Sequence, residues 1–304
     1  MIRSNKAIVS RLVMVSMVAH GKKAIYSRRW AKEGTRVEKS LIDEAAASGI
    51  EILSEVHAED NLASWYEECS FDHFWFKWRF NALFRLFKAL HCELDKERKA
   101  IDVGCGPGLL RKQIEEATKW SVDGTDLCLP ALLKNPKLRG QTVYFDIKDE
   151  LPQFEEAYEL LFLFDVIEHV EKTEELLAAA LKMLKPKGLM FINVPALPSL
   201  HSAYDEAAGH LRRYTRESLQ KSLASLPLEV VALRYWGFNL VPLLILRKLF
   251  LSVGKKSKEE IIKSGFKPPN ALVNFVLDKL GYLESSLIGE PPLGTSVLLA
   301  ARKK

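Results

Sequence analysis

Three glycines at alternating positions, Gly104, Gly106 and Gly108, follow directly on the short apolar run Ala100–Val103, in Lys99-Ala-Ile-Asp-Val-Gly-Cys-Gly-Pro-Gly-Leu-Leu110. An apolar strand that breaks into a glycine-rich turn and then a helix can hold a nucleotide-like ligand, because glycine lets the backbone bend and approach without a Cβ in the way. Leu109 to Thr118 has the spacing of the helix that should follow. The dinucleotide fingerprint Gly-x-Gly-x-x-Gly is not met: Gly104 and Gly106 fit, but the third position is Leu109, and the last glycine comes one residue early. The loop is also entered through Asp102, a carboxylate that would repel a pyrophosphate and attract a cationic amino-acid group. Both features count against a nicotinamide-dependent oxidoreductase. An ordinary glycine-rich turn remains compatible with this segment alone.

The following hundred residues repeat one pattern, a strand that ends in an acid. Trp120-Ser-Val-Asp-Gly-Thr-Asp126 places Asp126 24 positions after Asp102. At that strand–helix–strand spacing an acid meets the ribose hydroxyls of a bound nucleoside. Asp123, inside the strand, is the poorer candidate, and Leu127 would lie beside the base. Gln141 to Ile147 carries Asp146 near its end, and the continuous apolar run Tyr158 to Phe164 ends at Asp165, as a central parallel strand should. Asp165-Val-Ile-Glu-His-Val170 follows, then a helix over Glu174 to Leu184, a Leu184-Lys-Pro-Lys-Gly188 stop, and a fifth strand from Leu189 to Pro195.

Asp102 with its Gly-x-Gly-x-Gly loop resembles the first motif of the Rossmann-like, class I S-adenosylmethionine (SAM) methyltransferases. The Asp-Val-Ile-Glu-His-Val run and the proline-glycine stop resemble the second half of the same fold. The resemblance covers about two thirds of the chain, from Lys99 onward. It implies an α/β fold with a seven-stranded, mostly parallel sheet, with strand six over Glu229–Trp236 and an antiparallel last strand over Thr295–Ala301. It also implies SAM as cofactor. Asp102, Gly104, Cys105, Gly106 and Gly108 would form the cofactor loop, with Asp126 and Leu127 on the nucleoside. Asp146 and Ile147 would be at the adenine and Asp165 would line the site. The aromatic stretch Trp65 to Phe80 leads into a helical segment, Asn81 to Cys92. If that helix caps the pocket, Arg79 could pair with the cofactor carboxylate; a solvated arginine in a packed core is the plainer alternative.

Pro195 to Tyr214 is a loop crowded with titratable groups, among them His201, Asp205, His210, Arg212 and Arg213. It resembles a subgroup of bacterial-type methyltransferases associated with surface polysaccharide and lipid modification, which says little about the acceptor. Quinone-ring O-methyltransferases share the Glu-His-Val feature. Transfer to oxygen or nitrogen gains from a base. The candidates are His169, His201 and His210, with Asp205 able to orient an imidazole or act directly. Arg212 and Arg213 could bind an anionic acceptor or form surface ion pairs. The sequence does not choose among these.

The balance of 48% apolar and 27% charged residues over 304 residues is that of a soluble globular chain, and a net charge of +5 is too mild to indicate nucleic-acid binding. An Asn/Asp-Pro-Pro-Tyr motif is also absent after strand four. The four cysteines are too far apart for a paired metal spacing or a disulfide framework, so no metal is expected. The first 32 residues hold eight lysines and arginines and no acid, with Ile8, Leu12, Val15 and Ala19 on one helical face. Such a segment is an organelle-targeting peptide, a membrane-surface helix or a plain basic extension. The organisation expected is a basic extension over 1–34, a helical cap over 35–98, and a SAM-binding domain over 99–304 with a helical insertion at 239–293. The chain is expected to be cytoplasmic, with possible peripheral membrane contact. Its acceptor is expected to be a small molecule or a lipid-linked or glycan hydroxyl, its oligomeric state is open, and the rival class is a non-catalytic scaffold that kept the fold.

Overall fold

The computed structural model describes residues 36–56, 72–253, 260–261, 269–288 and 290–304. The basic segment 1–34 and the Trp65–Phe71 part of the aromatic stretch lie outside the described residues.

The apolar runs form one sheet of eight strands: β1 (Glu51–Ile52), β2 (Lys99–Val103), β3 (Ser121–Asp126), β4 (Thr142–Tyr144), β5 (Tyr158–Phe164), β6 (Leu184–Pro195), β7 (Leu228–Trp236) and β8 (Ser296–Lys303). Their order is β1-β4-β3-β2-β5-β6-β8-β7. β5, apolar but for Glu159, lies between β2 and β6 and is otherwise buried on both faces. β8 runs antiparallel to both β6 and β7. The expected architecture holds, with one addition. The two-residue β1 extends the sheet beside β4, a pairing too short to show any periodicity.

Helices cover both faces. Ahead of the sheet come α1 (Arg36–Ala47) and α2 (Phe74–Ala89); α3 (Leu109–Ala117) follows β2, and the single turn α4 (Leu129–Leu132) follows β3. Then come α5 (Thr173–Met183), α6 (Ala203–Ala208), α7 (Arg216–Ser222), α8 (Val241–Val253) and α9 (Ala271–Leu287). One side of the sheet packs Trp78, Phe87, Trp120, Phe162 and Phe191, with Phe87 edge-on to Trp120 and Phe191. The other buries Ile101, Leu161, Leu163, Met190, Ile192 and Leu299.

Two boundaries differ from the sequence reading. The segment read as a helix stop, Leu184 to Gly188, belongs to β6. Leu184 pairs with Tyr158 before the register shifts and resumes at Leu189, and Lys187 turns with a φ of 64°. A proline without an amide and a left-handed residue end the helix, as read, but within an irregular strand. α2 begins at Phe74, where the His73 ring accepts the Trp75 amide and caps it, so its first turn is aromatic.

The insertion between β7 and β8 returns to the body through α9. Gly281 lies so close to the Trp78 ring that a Cβ there would approach to 2.4 Å. The buried Glu284 carboxylate accepts the amides of Gly237, Phe238 and Asn239, at 2.7, 3.1 and 2.9 Å. Among the described residues no helix is long and apolar enough to cross a membrane.

Candidate active site

Because β2 to β6 run parallel, their carboxyl ends meet along one edge, where ligands of open α/β sheets bind. The loop after β2 is set by its glycines. Gly104 has a φ of 75°, and a Cβ on it would meet Val166 at 2.5 Å; Gly108 has a φ of 77° and opens α3 against the Asn135 side chain. The loop is fastened from behind. The Asp126 carboxylate accepts the Gly106 amide at 2.7 Å and the Cys128 amide at 2.8 Å, and Asn135 Nδ2 donates to the Gly106 carbonyl. Cys105 packs into the apolar cluster of Leu129, Leu132 and Tyr144. Its share in the loop is packing, and burial pushes its thiol well up from the ordinary range.

Arg111 on α3 is fully buried beneath this loop. It donates to the carbonyls of Val122, Gly140 and Gln141 and to the side chains of Asn135 and Thr142. Asp123 accepts the Tyr158 hydroxyl and the Gln141 amide inside the sheet and has no place at the edge, as its position predicted.

A cavity of about 470 Å³ extends from this loop. Gly104, Asp126, Leu127, Asp146, Ile147, Asp165, His169 and His210 all line it, which brings together most of the residues singled out from sequence. A small adjoining hollow is lined by Arg79, Asp102, Gly104, Cys105, Gly106 and Asp165. It sets a guanidinium and a carboxyl side by side. Asp102 is 2% exposed, and burial raises its carboxyl to about 7 against the pull of Arg79 and Arg111. Arg79 Nη1 donates to Asp165 at 2.5 Å, and its guanidinium lies over Trp75, Phe76 and Phe164, with Nε buried and unpartnered. Asp165 is itself held with a φ of 59°, its other oxygen accepting from Asn193 at 2.8 Å. Asn193 in turn accepts from the Trp236 indole. Sequence reasoning missed Asn193, one polar residue in the apolar end of a strand, and Arg111, one of several charged residues on a polar helix.

A second cavity, of about 220 Å³, lies on the far side of Asp165 and His210, which line both. Its walls are Phe74, Trp75, Phe76 and Tyr204, with Leu240, Leu243 and Leu244 from the insertion and Arg213 and Arg247 as charges. Arg247 lies over the Tyr204 ring, 3.8 Å from its centre. The insertion residues were not assigned to the site from sequence.

The crowded loop resolves into a fixed scaffold. Asp205 is fully buried; one oxygen accepts from Arg213 Nε at 2.8 Å and His210 Nδ1 at 3.0 Å, the other from the amide and hydroxyl of Ser202. Burial works against its charge, but His210 and Arg213 outweigh it and hold the carboxyl below the usual carboxylate range. Asp205 is thus bonded to the His210 imidazole and lines neither cavity. Arg213 is spent on Asp205 and the Ala196 carbonyl, and Arg212 reaches the Glu171 carbonyl, so the pair is not a free anion clamp. His201 bonds the His210 carbonyl and lines neither cavity. His169 and His210 stand edge to face with ring centres 4.9 Å apart. Burial and the neighbouring His210 lower the His169 pKa to about 4.

The sequence matches the family described as "Methyltransferase domain" over residues 75–233, just over half of its length. The chain belongs to this methyltransferase family. A ubiquinone biosynthesis O-methyltransferase of Schizosaccharomyces pombe, mitochondrial, is 25% identical over 121 residues, which is 38% of this chain and 43% of that protein. One from Rhizobium leguminosarum is 28% identical over 98 residues, 31% of this chain and 39% of its own. The chain thus spans about two fifths of the curated relatives it matches. Solved structures that align with it include a putative sarcosine dimethylglycine methyltransferase from Galdieria sulphuraria, at TM-score 0.49 and 15% identity over 74% of this chain and 85% of that one. Another is phosphoethanolamine N-methyltransferase 2 of Haemonchus contortus in complex with SAM, at TM-score 0.47 and 18% identity, covering 73% and 52%. The fold, with this sheet order, is that of the class I SAM-dependent methyltransferases, and the residues beside the glycine loop fit their cofactor: the cavity presents the carboxylate of Asp126, and the adjoining hollow a guanidinium and a carboxyl.

Proposed function

We propose that this chain transfers the methyl group of SAM to a hydroxyl oxygen of a small acceptor with an apolar, ring-bearing body. The observation that carries the reading is the pair of cavities meeting at Asp165 and His210, one bordered by the glycine loop with Asp126 and Asp146 in its wall, the other walled by aromatic rings. SAM supplies an activated methyl group on a sulfonium. Arg79 and Asp102 would hold its carboxylate and ammonium, Asp126 its ribose diol, and Leu127, Asp146 and Ile147 its base. Methyl transfer is an in-line displacement, so the protein's main work is alignment and exclusion of water; orientation alone can lower a barrier by ~7–11 kcal/mol. The wall of Phe74, Trp75, Phe76 and Tyr204 would stack a ring and direct its hydroxyl to the junction. The names of the ubiquinone-biosynthesis relatives favour a hydroxylated benzenoid over a glycan.

The test is calorimetric titration of the chain with SAM, S-adenosylhomocysteine and NADH, followed by incubation of methyl-labelled SAM with hydroxylated benzenoids bearing short and long alkyl tails. Binding of both adenosyl ligands, none of NADH, and label on an acceptor oxygen are expected. Binding of NADH alone would overturn the cofactor assignment. Adenosyl binding with no transfer to any hydroxyl acceptor would leave a binding scaffold instead.

A further inference from the structure

The wall of the second cavity is mostly apolar, and the charges that reach it do not balance. Among the described residues Asp165 is its one carboxylate, and Arg79 and Asn193 already hold it. Arg213 is bonded to the fully buried Asp205 and to the Ala196 carbonyl. His73 accepts the Trp75 amide, and burial lowers its pKa to about 4, so its ring is uncharged. The charge left over is Arg247.

Arg247 stands on α8, one turn after Leu243, and both line the cavity. It lies outside residues 75–233, which match the methyltransferase family, and so belongs to this chain's insertion. Its guanidinium lies over the Tyr204 ring, and Nε is buried with no acceptor. Among the described residues the acid whose charge it feels is Asp205, which Arg213 and His210 already hold. Burial, with the charge of Arg213, brings its pKa down from the ordinary arginine value, yet a guanidinium keeps its proton in a protein. A desolvated cation without a counter-charge is unfavourable until an anion joins it. The ring beneath favours one orientation of the guanidinium plane, whose fork matches two oxygens of a carboxylate or phosphate.

We propose that the acceptor carries a carboxylate or phosphate, and that Arg247 binds this oxyanion in the second cavity and so sets the choice of acceptor. This rests on the methyl-transfer reading. It gives Arg247 the role that the sequence offered to Arg212 and Arg213, both of which are engaged elsewhere. The oxyanion neutralises the surplus charge, Trp75 and Phe76 cover the body of the acceptor, and its hydroxyl is left to the junction at Asp165 and His210. Arg247 holds a group that does not react, so its contribution is to binding and orientation. A neutral acceptor of the same shape would leave the guanidinium desolvated and unpaired, which rejects it.

The experiment compares three probes of similar shape: dihydrocaffeate, its primary amide and hydroxytyrosol phosphate. Each is titrated into the full chain in the presence of S-adenosylhomocysteine, and each is then offered for methyl transfer from SAM. The parent should bind at least one of the anions about tenfold more tightly than the amide, and the better anion names the group. Arg247→Met should abolish that preference, with affinity for the amide within twofold of the parent and no fall in melting temperature. Arg247→Lys keeps the charge but loses the fork, and should retain part of the preference. Should Arg247→Met not fold, the preference of the parent and its reduction in Arg247→Lys decide the matter. Equal binding of anions and amide by the parent, no binding of either anion, or equal loss of all three probes in Arg247→Met overturns the proposal. Anion binding through Arg247 without methyl transfer upholds the site and removes the methyl-transfer reading beneath it. Transfer to the amide as fast as to the anions upholds that reading and removes the site.

Discussion

Asp102 is where burial and function pull in opposite directions. Its carboxyl is raised from 3.8 to about 7, first by burial and further by Asp126 and Asp165, while Arg79 and Arg111 oppose the shift. The folded chain therefore keeps a proton that the unfolded chain has lost, and between those two values this group's contribution to stability falls as pH rises. Asp102→Asn removes that cost, so the ligand-free variant should melt above the parent at pH 8 and match it at pH 4. A ligand ammonium beside Asp102 reverses the balance. SAM binding at pH 6 should release close to one proton, read by calorimetry in buffers of different ionisation enthalpy; release of none would separate Asp102 from the ammonium. Asp126 is pulled two ways as well, since it already accepts two loop amides. Asp126→Asn keeps an acceptor for the loop but loses the charge, and should weaken SAM at least roughly tenfold, or about 1.4 kcal/mol. Unchanged affinity would remove the ribose assignment.

At the scale of elements, the glycine loop is only as rigid as what backs it. Arg111 on α3 ties β3, the start of β4 and Asn135 together through five acceptors. Arg111→Leu fills much of the space but strands those acceptors, and should cost about 3 kcal/mol, seen as a lower denaturant midpoint; an unmoved midpoint would show that water replaces the guanidinium. Arg111 also marks the limit of what the sequence discloses. β2 and β5 were legible because a buried parallel strand is an apolar run; β3, Ser-Val-Asp-Gly-Thr-Asp, was legible from the spacing of Asp126 after Asp102. The helix over Phe74–Ala89 was read late, because aromatic residues there face both the core and the second cavity, which blurs the period. The wall of the second cavity was not legible, because Leu240, Leu243, Leu244 and Arg247 come from an insertion whose path depends on Glu284 and Gly281 meeting partners far away in sequence.

For the molecule as a whole, ligand and fold are linked by mass action. S-adenosylhomocysteine at about a hundred times its dissociation constant should add ~2.7 kcal/mol of apparent stability, and thermal melts with and without it read that directly, with NADH producing no shift. The sheet order carries a further consequence. β8 follows every other strand in the chain, yet it lies between β6 and β7, hydrogen-bonded to both. Synthesis therefore delivers β7 before the strand that joins it to the rest, and until Ser296–Lys303 arrives, the free edges of β6 and β7 wait unpaired. Closure of this half of the sheet is a late, long-range event. Chaperone capture or clumping of the nascent chain should be greatest in the interval just before those eight residues clear the ribosome.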